Sequence, residues 1–294
     1  TPSPSPTLFA DTRIKAAERA LRNGDWEQAQ LAFTEAHEHG AYPHVSAAAL
    51  LGLATTYLRD NRAPEAIETL HLYVQTYSKS LSVKDAYFLL GEAFMAQDRW
   101  AQATQSYRQY LQVNPGVIDS YVWERIGDAH FANGDYATAA DAFGQAILAE
   151  RSGNLNFLLL DKARALQLLG NFPEALTLYD LVNNNTDYYT TRAQMDYMRG
   201  QTELTLGNTH QAYQHFMHAL DHYPTAFHSY LSLTQLVNAK VTVNDLQRGL
   251  VNYNAGQYLP AIQALQRYVD RQPTHDARAH YYIALSHREL DDWR

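Results

Sequence analysis

The side chains in this sequence best spaced for chemistry are three histidines. His215, His218 and His222 stand three and four residues apart, which on a helix sets all three imidazoles on one face. Such a row has the donors for zinc, nickel or copper. The sequence fixes no carboxylate beside them to complete a shell, so the row reads first as a solvated helix face and no metal centre is assigned. His37-Glu38-His39 is weaker still, because residues two apart diverge by about 200° around a helix. There is no phosphate-binding GxxxxGK(S/T), no GxGxxG after a strand pattern, no GxSxG and no HExxH. Cysteine is absent, which removes disulfides, zinc fingers, iron–sulfur clusters and thiol catalysis together. No catalytic residue and no cofactor follow from the sequence.

Composition narrows the partner classes. The chain is 46% hydrophobic and 18% charged, a balance that argues against disorder. Its 23 Lys and Arg against 31 Asp and Glu give a formal net charge of −8, which counts against nucleic acid as the main partner. No apolar run approaches the ~18 residues of a membrane-spanning helix.

The elements that would have to position any site announce themselves by repetition. A phrase of turn residues, an aromatic, two residues and an alanine recurs as NGDWEQA, QDRWAQA, NGDYATA, GNFPEA and AGQYLPA, with NRAPEA and GNTHQA as variants lacking the aromatic. The closing alanines are Ala29, Ala66, Ala103, Ala139, Ala175, Ala212 and Ala261, separated by 37, 37, 36, 36, 37 and 49 residues. Twelve residues before each stands Ala17, Ala54, Gly91, Gly127, Ala163, Gly200 or Gly249; four after it stands Phe33, Leu70, Tyr107, Phe143, Tyr179, Phe216 or Leu265. Apolar residues in each half follow helical spacing. Gly-Asp or Gly-Asn between the halves supplies a helix stop and then an N-cap, and Pro64, Pro173 and Pro260 fall in the first turn of the second helix. Each unit therefore predicts a helix–turn–helix hairpin. The 49-residue gap leaves room for one extra helix, Ala226 to Asn238, before a hairpin that begins near Asn244.

The unit YFLLGEAFMAQDRWAQATQSYRQYLQVNP, Tyr87 to Pro115, and VWERIGDAHFANGDYATAADAFGQAI, Val122 to Ile147, resemble the tetratricopeptide repeat, and the likeness runs from about Asp11 to Arg294. Its period here is longer than the usual ~34 residues. The resemblance implies an all-α, right-handed superhelical solenoid of hairpins: a Pro/Ser/Thr-rich linker over 1–10, six hairpins over 11–224, the extra helix over 225–240, and a seventh hairpin with a truncated eighth over 241–294. It also implies that first helices line a concave groove. The corresponding positions are Phe88, Glu92 and Met95, then Tyr121, Glu124, Asp128 and Phe131, then Leu160 and Arg164, then Tyr197 and Gln201. That makes the middle of the groove acidic with interspersed aromatics, suited to a basic or polar, partly apolar peptide or a glycan. Such acids would repel the terminal carboxylate that chaperone-binding members of the family hold. Tyr188 and Tyr189 lack an evident packing role and could rim a binding surface, or staple the next helix.

The function so implied is a non-catalytic scaffold holding a protein or peptide. A second resemblance carries an alternative. Val243 to Trp293 is similar to helical units that precede the catalytic domain of bacterial soluble lytic transglycosylases, which would make the chain an arm positioning peptidoglycan beside a domain beyond residue 294. The chain itself has no Glu-Ser pair of the kind that family uses in catalysis. A start on Thr and the TPSPSPT stretch predict a removed upstream segment and a tether, and so the extracytoplasmic bacterial cell envelope, with the cytoplasm as the alternative.

Overall fold

A computed structural model of the chain describes residues 6–40, 42–113, 115–116, 118–271 and 276–291, with side chains from residue 12 onward. Every regular element among them is an α-helix. In chain order they are α1 (Pro6–Asn23), α2 (Trp26–Glu38), α3 (Pro43–Arg59), α4 (Ala63–Thr76), α5 (Val83–Met95), α6 (Trp100–Val113), α7 (Asp119–Ala132), α8 (Tyr136–Leu148), α9 (Asn156–Leu169), α10 (Phe172–Asn184), α11 (Tyr189–Thr205), α12 (Thr209–His222), α13 (Phe227–Asn238), α14 (Asp245–Asn254), α15 (Tyr258–Arg271) and α16 (Ala277–Glu289). Two compact units divide the chain, Thr1–Gly153 with α1–α8 and Asn154–Arg294 with α9–α16. Within each, consecutive helices pack as neighbours.

The turn phrases do what their residue types allow. Between α7 and α8, Gly134 takes the left-handed conformation at φ 77° that ends the first helix. The next residue, Asp135, then accepts a hydrogen bond from the Thr138 amide at 3.2 Å and caps the second. Where glycine is missing, Asn61 and Asp98 adopt the same left-handed turn, the residue types that tolerate it best after glycine. Asn171 and Asn208 occupy the cap positions of α10 and α12 without a side-chain cap bond. Their amides turn aside to Glu174 and Glu203.

Packing inside a hairpin rests on a large side chain laid against a small one sixteen residues earlier. The seven repeat alanines are all fully buried. A Cβ added to Gly91 would stand 2.3 Å from the Tyr107 ring, and one added to Gly200 would stand 2.3 Å from the Phe216 ring. Gly127 against Phe143 and Gly249 against Leu265 repeat the arrangement. Phe33 lies instead against Gly52 of α3, so in the first hairpin the close approach is made with the following one.

One departure from the sequence reading stands out, and one expectation is met in an unexpected packing. Helix α1 begins at Pro6, so residues 6–10 of the expected linker are helical, and residues 1–5 lie outside the described residues. Helix α13 packs on both α11 and α12, as the first helix of a further hairpin would. No second helix follows it. Lys240 turns at φ 58°, and the chain runs without regular structure to Asn244, whose side chain caps α14 by accepting from Leu246 and Gln247.

Opposed terms make the glycine contact testable. Replacing an interior helical glycine by alanine ordinarily gains about 0.5–1 kcal/mol, whereas overpacking costs about 1–3 kcal/mol. Gly200→Ala should therefore lower the thermal unfolding midpoint, and Ala139→Leu should cost about 1–3 kcal/mol by the same overpacking. A midpoint that rose in Gly200→Ala would mean that the Phe216 ring does not rest on that backbone.

Candidate functional site

The groove positions of the first unit converge on two first helices, α5 and α7. Tyr107 projects from α6 across Gly91, is fully buried in its ring, and donates its hydroxyl to Glu92 at 2.6 Å. Burial first, and the Glu92 charge second, push that phenol well above its ordinary range, so it stays a donor. Glu92 also meets Arg125 Nε at 3.2 Å, and Arg125 Nη1 stands 3.5 Å from Asp128. Burial pulls the Arg125 guanidinium down, but Glu92, Tyr107 and Asp128 more than offset it and leave its pKa raised. Glu124 accepts from Arg151 Nη1 at 2.6 Å, and the guanidinium of Arg151 lies 3.8 Å from the centre of the Tyr121 ring. Only 9% of the Arg151 side chain is exposed, against 46% for Arg125.

This corrects the expected acidic groove. Glu92, Glu124 and Asp128 are three carboxylates facing two guanidiniums, so the local charge falls from minus three to minus one. With Arg125 and Arg151 in place, the repulsion of a terminal carboxylate loses most of its basis. The aromatic positions also separate. Tyr121 is exposed, and Phe131 is half-buried with its ring edge-on to Tyr136. Phe88 leans into the core against Tyr107 and Tyr110, and Met95 packs against the same core.

In the second unit the groove positions do not form one site. Leu160 floors a cleft with Phe157, Val182 and Tyr188, whereas Arg164, one turn later on α9, lines a separate notch with Leu168, Phe172 and Met198 and pairs with Asp161 at 3.5 Å. Tyr197 packs between Phe216 and His228, and Gln201 is half-buried on α11. Tyr188 and Tyr189 are open to solvent, 73% and 52% exposed.

The histidine row is dispersed by its neighbours. His218 shares a 2.7 Å contact with buried Asp196, which also receives Arg199. Arg199 reaches Asp180 on α10 as well. His222 stacks on His218 with ring centres 4.0 Å apart. His215 is half-buried, and desolvation, with the Arg199 charge second, lowers its pKa. Among the described residues no three His, Asp or Glu side chains are grouped so as to hold a metal ion. No helix among them is long and apolar enough to cross a membrane.

Comparison with known proteins gives three family matches. Residues 11–120 match the YfiO family of outer membrane lipoproteins, residues 88–155 and 125–187 match one tetratricopeptide-repeat family, and residues 245–275 match another. No curated protein matches the chain. Similar solved structures include a tetratricopeptide repeat protein from Parabacteroides merdae, with 12% identity, a TM-score of 0.56, and coverage of 95% of this chain and 99% of that one. The C-terminal part of a repeat protein from Cytophaga hutchinsonii has 12% identity and a TM-score of 0.58 over 92% and 99%. The pilF protein of Pseudomonas aeruginosa has 18% identity and a TM-score of 0.53 over 78% and 99%. At these identities the likeness is one of fold.

The charge pairing predicts a coupling between partners. Arg125→Met leaves Glu92 and Asp128 without their shared cation and should cost about 0–1 kcal/mol at pH 7, as for an exposed pair. Arg151→Met should show the larger deficit, because its pair with Glu124 is more deeply buried. Adding Glu124→Gln should recover part of the Arg151→Met loss, since the uncompensated acid is then gone. Thermal unfolding of the single and double variants decides, and strictly additive losses would refute the pairing.

Proposed function

The chain is a tetratricopeptide-repeat protein, and from that premise we propose that it is a non-catalytic scaffold that holds a segment of a partner protein against the first helices of its first unit. One observation carries the reading. On α5 and α7, half-exposed ion pairs between Glu92, Arg125 and Asp128 stand one helical turn from Tyr121, which is 38% exposed although Arg151 covers one face of its ring. Exposed pairs contribute little to stability, about 0–1 kcal/mol each. Their partners can thus be exchanged for groups of a ligand at small cost, while the aromatic ring supplies apolar contact. Because donors and acceptors alternate, the preferred segment is polar and partly apolar rather than strongly basic.

Placement in the bacterial cell envelope is the accompanying proposal, and the likeness of residues 11–120 to a family of outer membrane lipoproteins supports it. The similarity of Val243–Trp293 to lytic transglycosylases has no counterpart among the matched families, where residues 245–275 fall under a tetratricopeptide repeat. A peptidoglycan ligand is therefore not part of the proposal.

Position-specific photocrosslinking in cells tests the scaffold. A benzophenone side chain at Tyr121 should capture a discrete partner protein, and the same group at Asp141, on the exposed side of α8, should not. Capture from Asp141 alone, or equal capture from both, would overturn the groove assignment. Fractionation of the producing cells should place the full-length protein with the envelope, and recovery only in the cytosol would remove that part of the reading.

A further inference from the structure

The second unit holds a cleft that takes in one of the groove positions, Leu160. It opens between the N-terminal ends of α9 and α11, encloses about 280 Å³, and is floored by Phe157, Leu160 and the buried Val182. Tyr188 forms its lip, and Asn154, Asn156, Thr186, Thr191 and Gln194 complete its lining. None of the residues lining it carries a charge.

The cleft is preformed. The connector from α10 to α11 is fixed by Thr186, itself buried, whose hydroxyl accepts from the Tyr188 amide at 3.2 Å. Its carbonyl accepts from Arg192 Nε at 2.9 Å, and Arg192 pairs with Asp187 at 3.4 Å. The adjacent charges thus answer each other. Tyr188 is 73% exposed on a backbone that is held, so an occupant would pay little to order it.

We propose that this cleft docks one large uncharged side chain, aromatic or branched aliphatic, presented by an extended segment of a partner protein. Three features select that occupant. A charged group would leave water for a lining that offers no counter-charge, which is costly. The volume suits a ring with some flanking main chain, since a dry apolar cavity of about 150 Å³ already admits benzene. The Gln194 amide and the amide oxygen of Asn156, whose Nδ2 donates to the Asn185 carbonyl at 3.4 Å, are groups of the kind that an extended main chain needs. The proposal rests on the scaffold reading but concerns a different surface from that of Tyr121.

Titration of the isotope-labelled chain, followed by amide NMR shifts, tests it. N-acetyl-phenylalaninamide and N-acetyl-leucinamide should shift Asn156, Phe157, Thr186, Tyr188 and Gln194. They should bind at least tenfold more tightly than N-acetyl-aspartamide. Tyr188→Ala should weaken the phenylalanine probe several-fold with an unchanged unfolding midpoint, and Leu160→Glu should abolish its binding. If Leu160→Glu does not fold, Tyr188→Ala decides alone. No shifts with either apolar probe, equal binding of the aspartate probe, or unaltered binding to Tyr188→Ala would overturn the proposal. Shifts with chitotriose alone would make the cleft a glycan site instead. Any of these failures leaves crosslinking at Tyr121 as an independent reading of the scaffold.

Discussion

Everything in this chain depends on how closely two helices of a hairpin can approach. In four hairpins the face of a large side chain rests on the backbone of a glycine sixteen residues earlier, at distances that leave no space for a methyl group. That contact fixes the register of the pair and hence the period of the repeat. It also directs the tyrosine among these side chains. Tyr107 cannot shift sideways on Gly91, so its hydroxyl emerges beside Glu92 and joins the core to the surface. In the fifth hairpin Ala163 and Tyr179 hold the same register and both remain fully buried, which shows a pair set to accept one methyl. There the hydroxyl meets Gln167 at 2.7 Å, an uncharged partner.

The surface chemistry follows from what those hydroxyls and their neighbours meet. In the first unit the helices that follow the core contacts carry both signs of charge, and carboxylates and guanidiniums settle into alternating pairs. Arg151 stacks on Tyr121 and pairs with the half-buried Glu124. In the second unit comparable positions on α9 and α11 bear Asn156, Leu160 and Gln194. Its paired charges include Asp161 with Arg164 on α9 and a cluster of Asp196, Arg199 and His218.

The repeat was legible in the sequence because it is written in residues whose roles are local. Turn glycines, cap residues and helical spacing each act within a few positions, and the gap before Asn244 held a helix where the periodicity left room for one. The site was less legible because its partners come from different hairpins. Glu92 and Arg125 lie 33 residues apart on the first helices of successive hairpins, and Glu124 meets Arg151 across 27 residues through an interhairpin loop. Arg125 sits between two groove positions, Glu124 and Asp128, and no periodic pattern singles it out. The cleft at Leu160 depends on the course of the Thr186–Tyr188 connector, which no periodic pattern encodes. At the other end of the chain, the first prolines suggested a tether, yet Pro6 suits the first turn of a helix and residues 6–10 follow α1.

Helix α13 shows what the array can tolerate. It satisfies the packing of a first helix against α11 and α12, so the units before it are covered, and Val241 and Val243 close the side that a second helix would have taken. A hairpin is thus not an indivisible unit here. What must be conserved is the covering of the preceding pair, and the covering element is free to vary in sequence and length. That freedom is what places Phe227 and His228 at the start of α13, with His228 against Tyr197. The two proposed surfaces differ in their physics: contacts to the paired charges around Arg125 are screened by salt, whereas burial of an apolar side chain at Leu160 is not.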